Sequence, residues 1–422
     1  MRRGVGAAFL IAVVCALFAA APAGASRGAR FGIQDDAWLM FGPGTLEERV
    51  TTLKGLGVGV VRFTLRWDAV APRKPSVPSD PQDEAYRWGV YGDVLDELHA
   101  NGLRTLVTLW GSPRWANGGG APSRLPRSGL GEFAAAAAAR FPWVRLWTVW
   151  NEPNSRTFSV PVSPRLYVRR ALNPAYAALK AASRSNQVAG GVTSPRKTPS
   201  GMSPLAFMQG MRAAHARLDA YAQNPYPVGR GETPFRGSCA LCFTMASLPR
   251  IRSEVTRNFG PKPLWLTEYG YQTNPPDRIL GVSPALQATY VGEAALRVWE
   301  QPGVTMLIQF LVRDEPSLGG WQSGLFTVGG AAKLSYHAFA LPLAEVSRRG
   351  SRTVLWGQVR PGGGHRAYVL QRAVGGRWRA FGGRRTTAAN GAFTRTVSVP
   401  AGTRVRLVAP AVGWSSPPLL IS

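Results

Sequence analysis

The sequence changes from apolar to polar within the ten residues 146–155, LWTVWNEPNS. Its apolar residues are Leu146, Trp147, Val149 and Trp150. Their alternation is typical of a strand that enters a packed interior. The run stops at Asn151 and Glu152, so a carboxylate follows the carboxyl end of the predicted strand. α/β barrels carry their functional groups at this end of their strands.

Seven further apolar, β-branched runs resemble this one. The eight runs end near Asp36, Asp68, Gly111, Glu152, Pro195, Tyr226, Glu268 and Arg313. Successive ends lie 31 to 45 residues apart, and each gap contains a helical pattern. Eight strand-then-helix units of this length predict an α/β fold of the (β/α)8 TIM barrel type.

Three gaps show clear helix boundaries. TLEERVTTLKGLG begins with a Thr45/Glu48 capping box, and SPALQATYVGEAALRVWEQPG begins with Ser283 followed by Pro284. YGDVLDELHANG stops at an Asn-Gly pair. These signals support helices between the predicted strands.

The C-terminal part has a different period. From about Ser347 apolar residues alternate in short runs such as TVLWGQV, HRAYVLQRAV and TRVRLVA, separated by glycine-rich turns. This pattern predicts a small all-β sandwich domain over residues 347–422. We assign residues 26–346 to the barrel, and YHAFALPLAEV to its last helix. We also expect the sandwich to be dispensable for turnover.

The charge distribution is strongly uneven. The formal net charge is +27, and residues 346–422 contain thirteen arginines, no lysine and no acidic residue. Such a surface suits acidic cell-wall polymers, acidic polysaccharide or nucleic acid; we expect no specific nucleic-acid partner. An arginine-rich coding bias is the alternative, because arginines outnumber lysines 44 to 6.

Residues 1–25 have the composition of an export signal. A cationic start precedes an apolar stretch, and small residues precede Ser26. We therefore predict a signal peptide cleaved after Ala25 and a secreted, extracellular protein. No later stretch is long enough to span a bilayer.

Cys239 and Cys242 are the cysteines that remain after this predicted cleavage. In an oxidising compartment a C-x-x-C pair is usually a local disulfide or two idle thiols. We favour a disulfide that staples a loop. A metal role has little support because two cysteines supply only half a zinc site.

A second predicted strand ends with a glutamate. PLWLTEYGYQT, residues 263–273, places Glu268 after an apolar run, 116 residues or about three strand-helix units beyond Glu152. The two carboxylates therefore end strands four and seven. Either glutamate alone would fit a helix cap or a salt bridge. Together they match the acid and the nucleophile of glycoside hydrolysis.

These motifs resemble the clan A retaining glycoside hydrolases, closest to the family 39 type, over about residues 31–345. The likeness rests on Trp-Asn-Glu-Pro-Asn at 150–154 and Thr-Glu-Tyr-Gly at 267–270. It implies that Glu152 is the acid/base, that Asn151 donates to the sugar 2-hydroxyl and that Glu268 is the nucleophile. It also implies that no cofactor or metal is needed.

The resemblance extends to three other strand ends. Arg62 matches an arginine that hydrogen-bonds the nucleophile; the alternative is a surface ion pair. Tyr226, in AQNPYP, matches a tyrosine that contacts the nucleophile. Trp110 and Trp115 match the aromatic residues of strand three, although core packing is equally consistent with either.

Two departures concern the substrate contacts. The clan often has histidine where this chain has Asn224. Strand eight also lacks the usual terminal tryptophan, and Trp321 in GGWQSGLF is the candidate to replace it as a ring platform.

We expect a glycosidase that cleaves a poly- or oligosaccharide, and therefore a role in polysaccharide degradation and carbohydrate metabolism. Two alternatives remain open. In the first, the barrel has lost hydrolysis and acts as a glycan-binding protein or transglycosylase. In the second, the basic module makes the chain a cell-wall-binding protein.

Overall fold

The structure is a computed structural model that describes Ser26 and residues 28–422. The predicted signal peptide, residues 1–25, lies outside the described residues. Among the residues that are described, no helix has both the length and the apolar character needed to cross a membrane.

The barrel prediction is confirmed. Eight parallel strands pair in chain order and the last closes onto the first. The strands are β1 (Arg30–Gln34), β2 (Val60–Arg66), β3 (Thr105–Trp110), β4 (Leu146–Val149), β5 (Gln187–Thr193), β6 (Ala220–Gln223), β7 (Leu264–Tyr269) and β8 (Val304–Phe310).

Helices occupy the connections between the strands. They are α1 (Asp36–Phe41), α2 (Leu46–Gly55), α3 (Trp67–Val70), α4 (Gly89–Ala100), α5 (Arg114–Asn117), α6 (Leu130–Arg140), α7 (Pro164–Tyr167), α8 (Asn173–Ala182), α9 (Pro204–Ala213), α10 (Leu248–Phe259), α11 (Pro284–Trp299) and α12 (Leu334–Ala340), with a π-helical turn at Val168–Leu172 and a 3-10 turn at Met245–Ser247. The predicted capping box of α2 is present, and Ser283 caps α11.

Alternation along β2 explains how the barrel interior is built. Val61 and Phe63 belong to the large core shared with the helices, whereas Val60 belongs to a separate cluster of buried side chains from β2 to β8. Arg62 and Thr64 continue the inward row above Val60. The interior therefore changes from apolar to polar toward the carboxyl ends of the strands, where a functional site is expected.

The C-terminal region forms two antiparallel sheets, as expected for a β-sandwich. One has the order β13-β10-β9, and the other β12-β11-β14-β15 with β16 beside β14. The strands are β9 (Leu343–Arg349), β10 (Arg352–Gln358), β11 (Ala367–Val374), β12 (Arg377–Thr386), β13 (Ala392–Ser398), β14 (Arg404–Ala409), β15 (Trp414–Ser415) and β16 (Leu419–Leu420), and a 3-10 turn lies at Pro410–Val412.

One helix prediction was wrong for its last residues. The predicted last barrel helix ends at Ala340, and residues 343–346 belong to β9, which pairs with β10. Pro342 explains the early end, because the residue before a proline avoids helical geometry, and Leu341 has φ −130° and ψ 63°. The expected boundary between residues 346 and 347 therefore falls inside a strand.

The sandwich packs directly against the barrel. Arg360, which follows β10, is buried, and its guanidinium lies 4.0 Å from the ring centre of Phe31 in β1 and 4.5 Å from that of Phe339 in α12. Burial lowers the pKa of Arg360 to about 9. Trp356 of β10 lies 5.9 Å from Trp299 of α11, ring centre to ring centre. These contacts favour a barrel that depends on the sandwich, against the expectation of a dispensable module.

Cys239 and Cys242 are joined by a disulfide bond. The bond lies in the long connection between β6 and α10, and the two Cα atoms are 5.3 Å apart. It therefore closes a very short loop within one connection, where the loop-entropy argument assigns a disulfide its smallest stabilisation.

We predict that Trp356→Ala lowers the free energy of unfolding of the whole chain by about 3–5 kcal/mol, because it removes a fully buried indole at the barrel–sandwich contact. Urea denaturation followed by far-UV circular dichroism measures the loss. Trp378→Ala on the half-exposed β12 is the control and should cost about 1 kcal/mol or less. A Trp356→Ala barrel that unfolds at the wild-type urea concentration would show that the two parts are independent.

Candidate active site

A cavity of about 430 Å³ lies at the carboxyl ends of the barrel strands. Glu152 and Glu268 both line it. The structure also brings most of the other predicted residues to this cavity: Asn151, Trp110, Tyr226 and Trp321. Residues that are far apart in the sequence therefore meet in one place, as the strand order requires.

Glu268 is fixed by two neighbours. Arg62 Nη1 donates to Glu268 Oε1, and the Tyr226 hydroxyl donates to Oε2 over 3.2 Å. The pairing of β7 with β8 shifts register between Leu266 and Tyr269. Such irregularities re-aim side chains next to active sites, and this one accompanies the placement of both Thr267 and Glu268 on the inner side.

Arg62 is fully buried and uses its donors within the barrel. Besides Glu268, it donates from Nη1 to Gln34 Oε1 over 2.5 Å, from Nε to Thr108 Oγ1 over 2.9 Å, and from Nη2 to Asn151 Oδ1 over 2.9 Å. The alternative of a surface ion pair for Arg62 is therefore wrong. A buried cation is therefore in direct contact with Glu268.

The end of strand four has an unusual backbone. Trp150 has φ 71° and Glu152 has φ 39°, the left-handed region that residues with side chains seldom adopt. The Trp150 indole N–H donates to Phe158 O over 2.8 Å. Asn154 Oδ1 accepts from the backbone N–H of Ser194, at the end of β5, over 2.9 Å. These bonds hold the turn that points Glu152 into the cavity.

Glu152 has a different environment from Glu268. Its Oε1 accepts a hydrogen bond from Asn224 Nδ2 over 3.1 Å. Enclosure by the protein and the negative charge of Glu268 raise the pKa of Glu152 to about 8, although Asn224 and Arg62 oppose the rise. The cavity thus pairs a carboxyl group whose pKa is raised with a second carboxyl group that contacts a buried cation.

Aromatic side chains form part of the cavity wall. Trp321 lies 4.7 Å from Tyr226 and 5.7 Å from Phe310, measured between ring centres, and all three line the cavity. Trp321 thus reaches the position that the end of strand eight leaves without a tryptophan. Trp115 does not line the cavity: it packs edge-on against Trp67 at 5.4 Å and donates to Ala71 O.

Three residues of the site were not predicted from the sequence. Asn224 was identified only as a departure from the clan pattern, whereas it donates to Glu152 Oε1 and accepts from Thr267 Oγ1 over 2.8 Å. Gln34 and Asp36, at the end of β1, also line the cavity. Gln34 follows Gly32 in the inward row of β1, so an alternation count along RFGIQDD would have found it.

In the part of the chain that the structure describes, His, Cys, Asp and Glu form no group of three or more that would hold a metal ion.

The sequence matches no known protein-family model. Its structure is similar to a family 39 glycoside hydrolase from the gut symbiont Bacteroides cellulosilyticus WH2, with 15% identity, coverage of 91% of this chain and 81% of that chain, and a TM-score of 0.60. A glucosidase from Croceicoccus marinus gives 13% identity, 92% and 96% coverage, and a TM-score of 0.60. The hyperthermophilic beta-glucosidase from Pyrococcus furiosus gives 14%, 74% and 94%, and 0.52.

These similarities show a shared fold. Residues 30–340, the barrel, are 311 of 422 residues, or 74% of the chain. The match to the Pyrococcus structure covers 74% of this chain, which equals the share of the barrel. The first two matches cover 91% and 92% of this chain, which is more than the barrel alone. The fold they share with this chain therefore extends beyond the barrel.

We predict that Glu152→Gln stabilises the protein at high pH. The pKa of Glu152 is about 8 in the folded state, against an ordinary value of 4.5 for an exposed glutamate. Folding therefore takes up a proton between these pH values, so wild-type stability falls as pH rises through this interval. A neutral glutamine lacks this cost, and the variant should gain about 1–3 kcal/mol at pH 9 and little at pH 4. Urea denaturation at both pH values measures the gain; equal gains at pH 4 and pH 9 would contradict the raised pKa.

Proposed function

We propose that this protein is a retaining glycoside hydrolase that cleaves O-glycosidic bonds of a poly- or oligosaccharide by double displacement. The observation that carries the proposal is the placement of Glu152 and Glu268 in one cavity, where Arg62 contacts Glu268 and enclosure raises the pKa of Glu152. Two such carboxyl groups are what glycoside hydrolysis requires. The shared fold with glycosidases is consistent with it.

Glu268 is proposed as the nucleophile. Its carboxylate attacks the anomeric carbon as the bond to the leaving oxygen breaks, which gives a glycosyl ester. Arg62 holds the group by a hydrogen bond, and Tyr226 keeps its proton as a donor because burial and the nearby Glu268 and Glu152 raise its pKa well above the ordinary value. Both contacts orient the attacking oxygens.

Glu152 is proposed as the general acid/base. Its raised pKa keeps it protonated at neutral pH, so it gives a proton to the leaving oxygen in the first step. It then takes a proton from the water that attacks the glycosyl ester and releases Glu268. This step restores the starting protonation of both groups.

The remaining predicted residues are proposed to bind sugar. Asn151 lies next to Glu152 and accepts a hydrogen bond from Arg62 at Oδ1. Its amide N–H is therefore available to a ring hydroxyl. Trp110 and Trp321 offer flat apolar surface in the cavity wall, which suits the faces of sugar rings. The same cavity would also serve a transglycosylase, in which a sugar hydroxyl replaces water, or a protein that only binds glycans.

We further propose that the mature protein acts outside the cytoplasm. The proposal rests on residues 1–25, whose composition is that of an export signal, and the Cys239–Cys242 disulfide is compatible with an oxidising compartment. Amino-terminal sequencing of protein recovered from the culture medium tests it; a mature chain that begins at Met1 would contradict it.

We predict that the two glutamates fail differently when replaced. Glu268→Ala should abolish turnover, and added azide should give a glycosyl azide of inverted configuration. Glu152→Ala should spare a 4-nitrophenyl glycoside, which needs no proton, and slow an unactivated glycoside by about 10²–10⁴-fold; azide should then give a product of retained configuration. Kinetics and proton NMR of the products measure both outcomes.

The wild type supplies the decisive control. Proton NMR of the first-formed product should show retained anomeric configuration. Formation and hydrolysis of the covalent intermediate each invert the anomeric carbon, so the two inversions cancel. An inverted first product would overturn the mechanism and both assignments. Absence of hydrolysis with tight glycan binding, or transfer to a sugar acceptor, would favour one of the two alternatives.

The C-terminal sheet supports a second proposal, that it holds acidic polysaccharide such as a cell-wall polymer. Edge strand β12 exposes four arginines, and the neighbouring β11 and β14 carry three more. These seven are Arg372, Arg377, Arg379, Arg384, Arg385, Arg404 and Arg406. None forms a salt bridge with a described carboxylate, so their charge is available to a polyanion.

One contact gives this surface a feature beyond charge. The Arg406 guanidinium lies 4.4 Å from the ring centre of Trp378, and its Nε donates to Gln371 Oε1 over 2.8 Å. An indole beside fixed polar groups on a sheet offers both stacking and hydrogen bonds to a sugar. We take acidic polysaccharide as the polyanion, and binding to nucleic acid is one outcome of the test.

We predict that the full chain binds polygalacturonate in a salt-dependent manner and that neutralising β12 weakens this binding by at least about tenfold at 50 mM salt. The test variant replaces Arg377, Arg379, Arg384 and Arg385 with glutamine. The matched control removes the same charge from the barrel surface, at Arg156, Arg165, Arg169 and Arg212. Equal losses in the two variants, equal binding at low and high salt, or tighter binding to duplex DNA would each contradict the proposal.

A further inference from the structure

Asp36 is a third carboxylate in the cavity. It is the first residue of α1, two residues after the end of β1, and lines the same cavity as Glu152 and Glu268. The mechanism proposed above gives it no role. Its burial raises its pKa, so the protein maintains this acidic group at an energetic cost.

Hydrogen bonds from Thr64 and Gln34 hold the Asp36 carboxylate in place. The backbone N–H of Thr64 donates to Oδ1 over 3.1 Å, Gln34 Nε2 donates to Oδ2 over 3.3 Å, and the Thr64 hydroxyl is a third partner. An ionised carboxylate accepts about four hydrogen bonds. The group therefore keeps acceptor capacity for a further donor, and it borders the cavity.

No cation neutralises Asp36 directly. It forms no salt bridge with any residue that the structure describes. Arg66 lines the same cavity but pairs with Asp68, from Nη2 to Oδ2 over 2.6 Å. An enclosed carboxylate with spare acceptors and no counter-ion is suited to hydroxyl donors from a ligand.

A chain of hydrogen bonds connects Asp36 to the nucleophile. Gln34 donates to Asp36 and accepts from Arg62, and Arg62 donates to Glu268. β1 and β7 are separated only by β8 in the barrel, which places their backbones ~10 Å apart at ordinary strand spacing. A sugar ring with its anomeric carbon at Glu268 would direct its far hydroxyls toward this wall.

We infer that Asp36 accepts hydrogen bonds from hydroxyl groups of the sugar ring that Glu268 attacks, and that it selects a neutral ring whose hydroxyls are free at that edge. The inference rests on the proposed function. A ring that carries a carboxylate, an O-methyl or an O-acyl group there offers no donor and leaves Asp36 unpaired. Sites built to bind a hydroxyl reject such analogues strongly.

The test is Asp36→Asn, which keeps the size of the side chain and an acceptor for Thr64. Probes are the 4-nitrophenyl β-glycosides of glucose, galactose, mannose and xylose, and then single deoxy and O-methyl derivatives of the best substrate. We expect Asp36→Asn to lower kcat/KM on the parent glycoside by about 10–100-fold, as expected for lost charged hydrogen bonds. Removal of one sugar hydroxyl should lower kcat/KM of the wild type by a similar factor. The same deoxy derivative should lower kcat/KM of the variant by less than about threefold relative to the parent glycoside.

Asp96→Asn is the matched control, because Asp96 pairs with Arg140 and does not line the cavity. It should keep wild-type values. Two outcomes would overturn the inference. One is a kcat/KM of Asp36→Asn within about threefold of the wild type on every parent glycoside. The other is that, at every deoxy position, the loss in kcat/KM from the substitution and the loss from the missing hydroxyl multiply. Melting temperatures of both variants show whether a loss reflects folding, and the deoxy series on the wild type needs no variant.

Failure of the proposed function is distinguishable from failure of the inference. If the wild type cleaves none of these glycosides, hydrolysis is contradicted, and calorimetric titration with the methyl β-glycosides of the same four sugars tests Asp36 instead. Binding by the wild type that falls at least about tenfold in Asp36→Asn supports the inference. Equal binding by both proteins, or binding by neither, contradicts it.

Discussion

The buried Arg62 guanidinium is the constraint on which the site depends. A charge inside a barrel is tolerated only when its donors are satisfied, and here the acceptors come from the ends of four other strands: Gln34, Thr108, Asn151 and Glu268. One side chain thus ties β1, β3, β4 and β7 to β2. The position of Glu268 follows from the position of this cation, and the barrel cannot rearrange around one without moving the other.

The two glutamates differ because only one of them touches that cation. Glu268 accepts hydrogen bonds from Arg62 and Tyr226, whereas Glu152 accepts one from the neutral amide of Asn224. Enclosure by the protein and the charge of Glu268 raise the pKa of Glu152. The two sites therefore differ through their surroundings, since both side chains are chemically the same.

Much of this arrangement was predictable from the sequence, because strand alternation and strand number are local properties. The runs ending near Glu152 and Glu268 identified strands four and seven, and strand order alone brought them to one cavity. Side-chain partners were harder to predict: the bond from Asn224 to Glu152 joins residues 72 positions apart. In LPLAEV, Pro342 is a local signal that ends the helix, whereas the pairing of the following residues with β10 is not encoded by the local pattern. Trp115 packs against Trp67 because the packing of neighbouring connections, and not strand position, determines which aromatic residues face the cavity.

Arg360 makes the sandwich part of the barrel's own packing. Its side chain leaves the C-terminal region and fills a space between Phe31 and Phe339, on the outside of the β1 strand whose inner side carries Gln34. In evolutionary terms the two regions are poor candidates for shuffling. A foreign β-domain fused after α12 would leave two phenyl rings uncovered against the first strand, so substitutions on either side of this contact are expected to be inherited together.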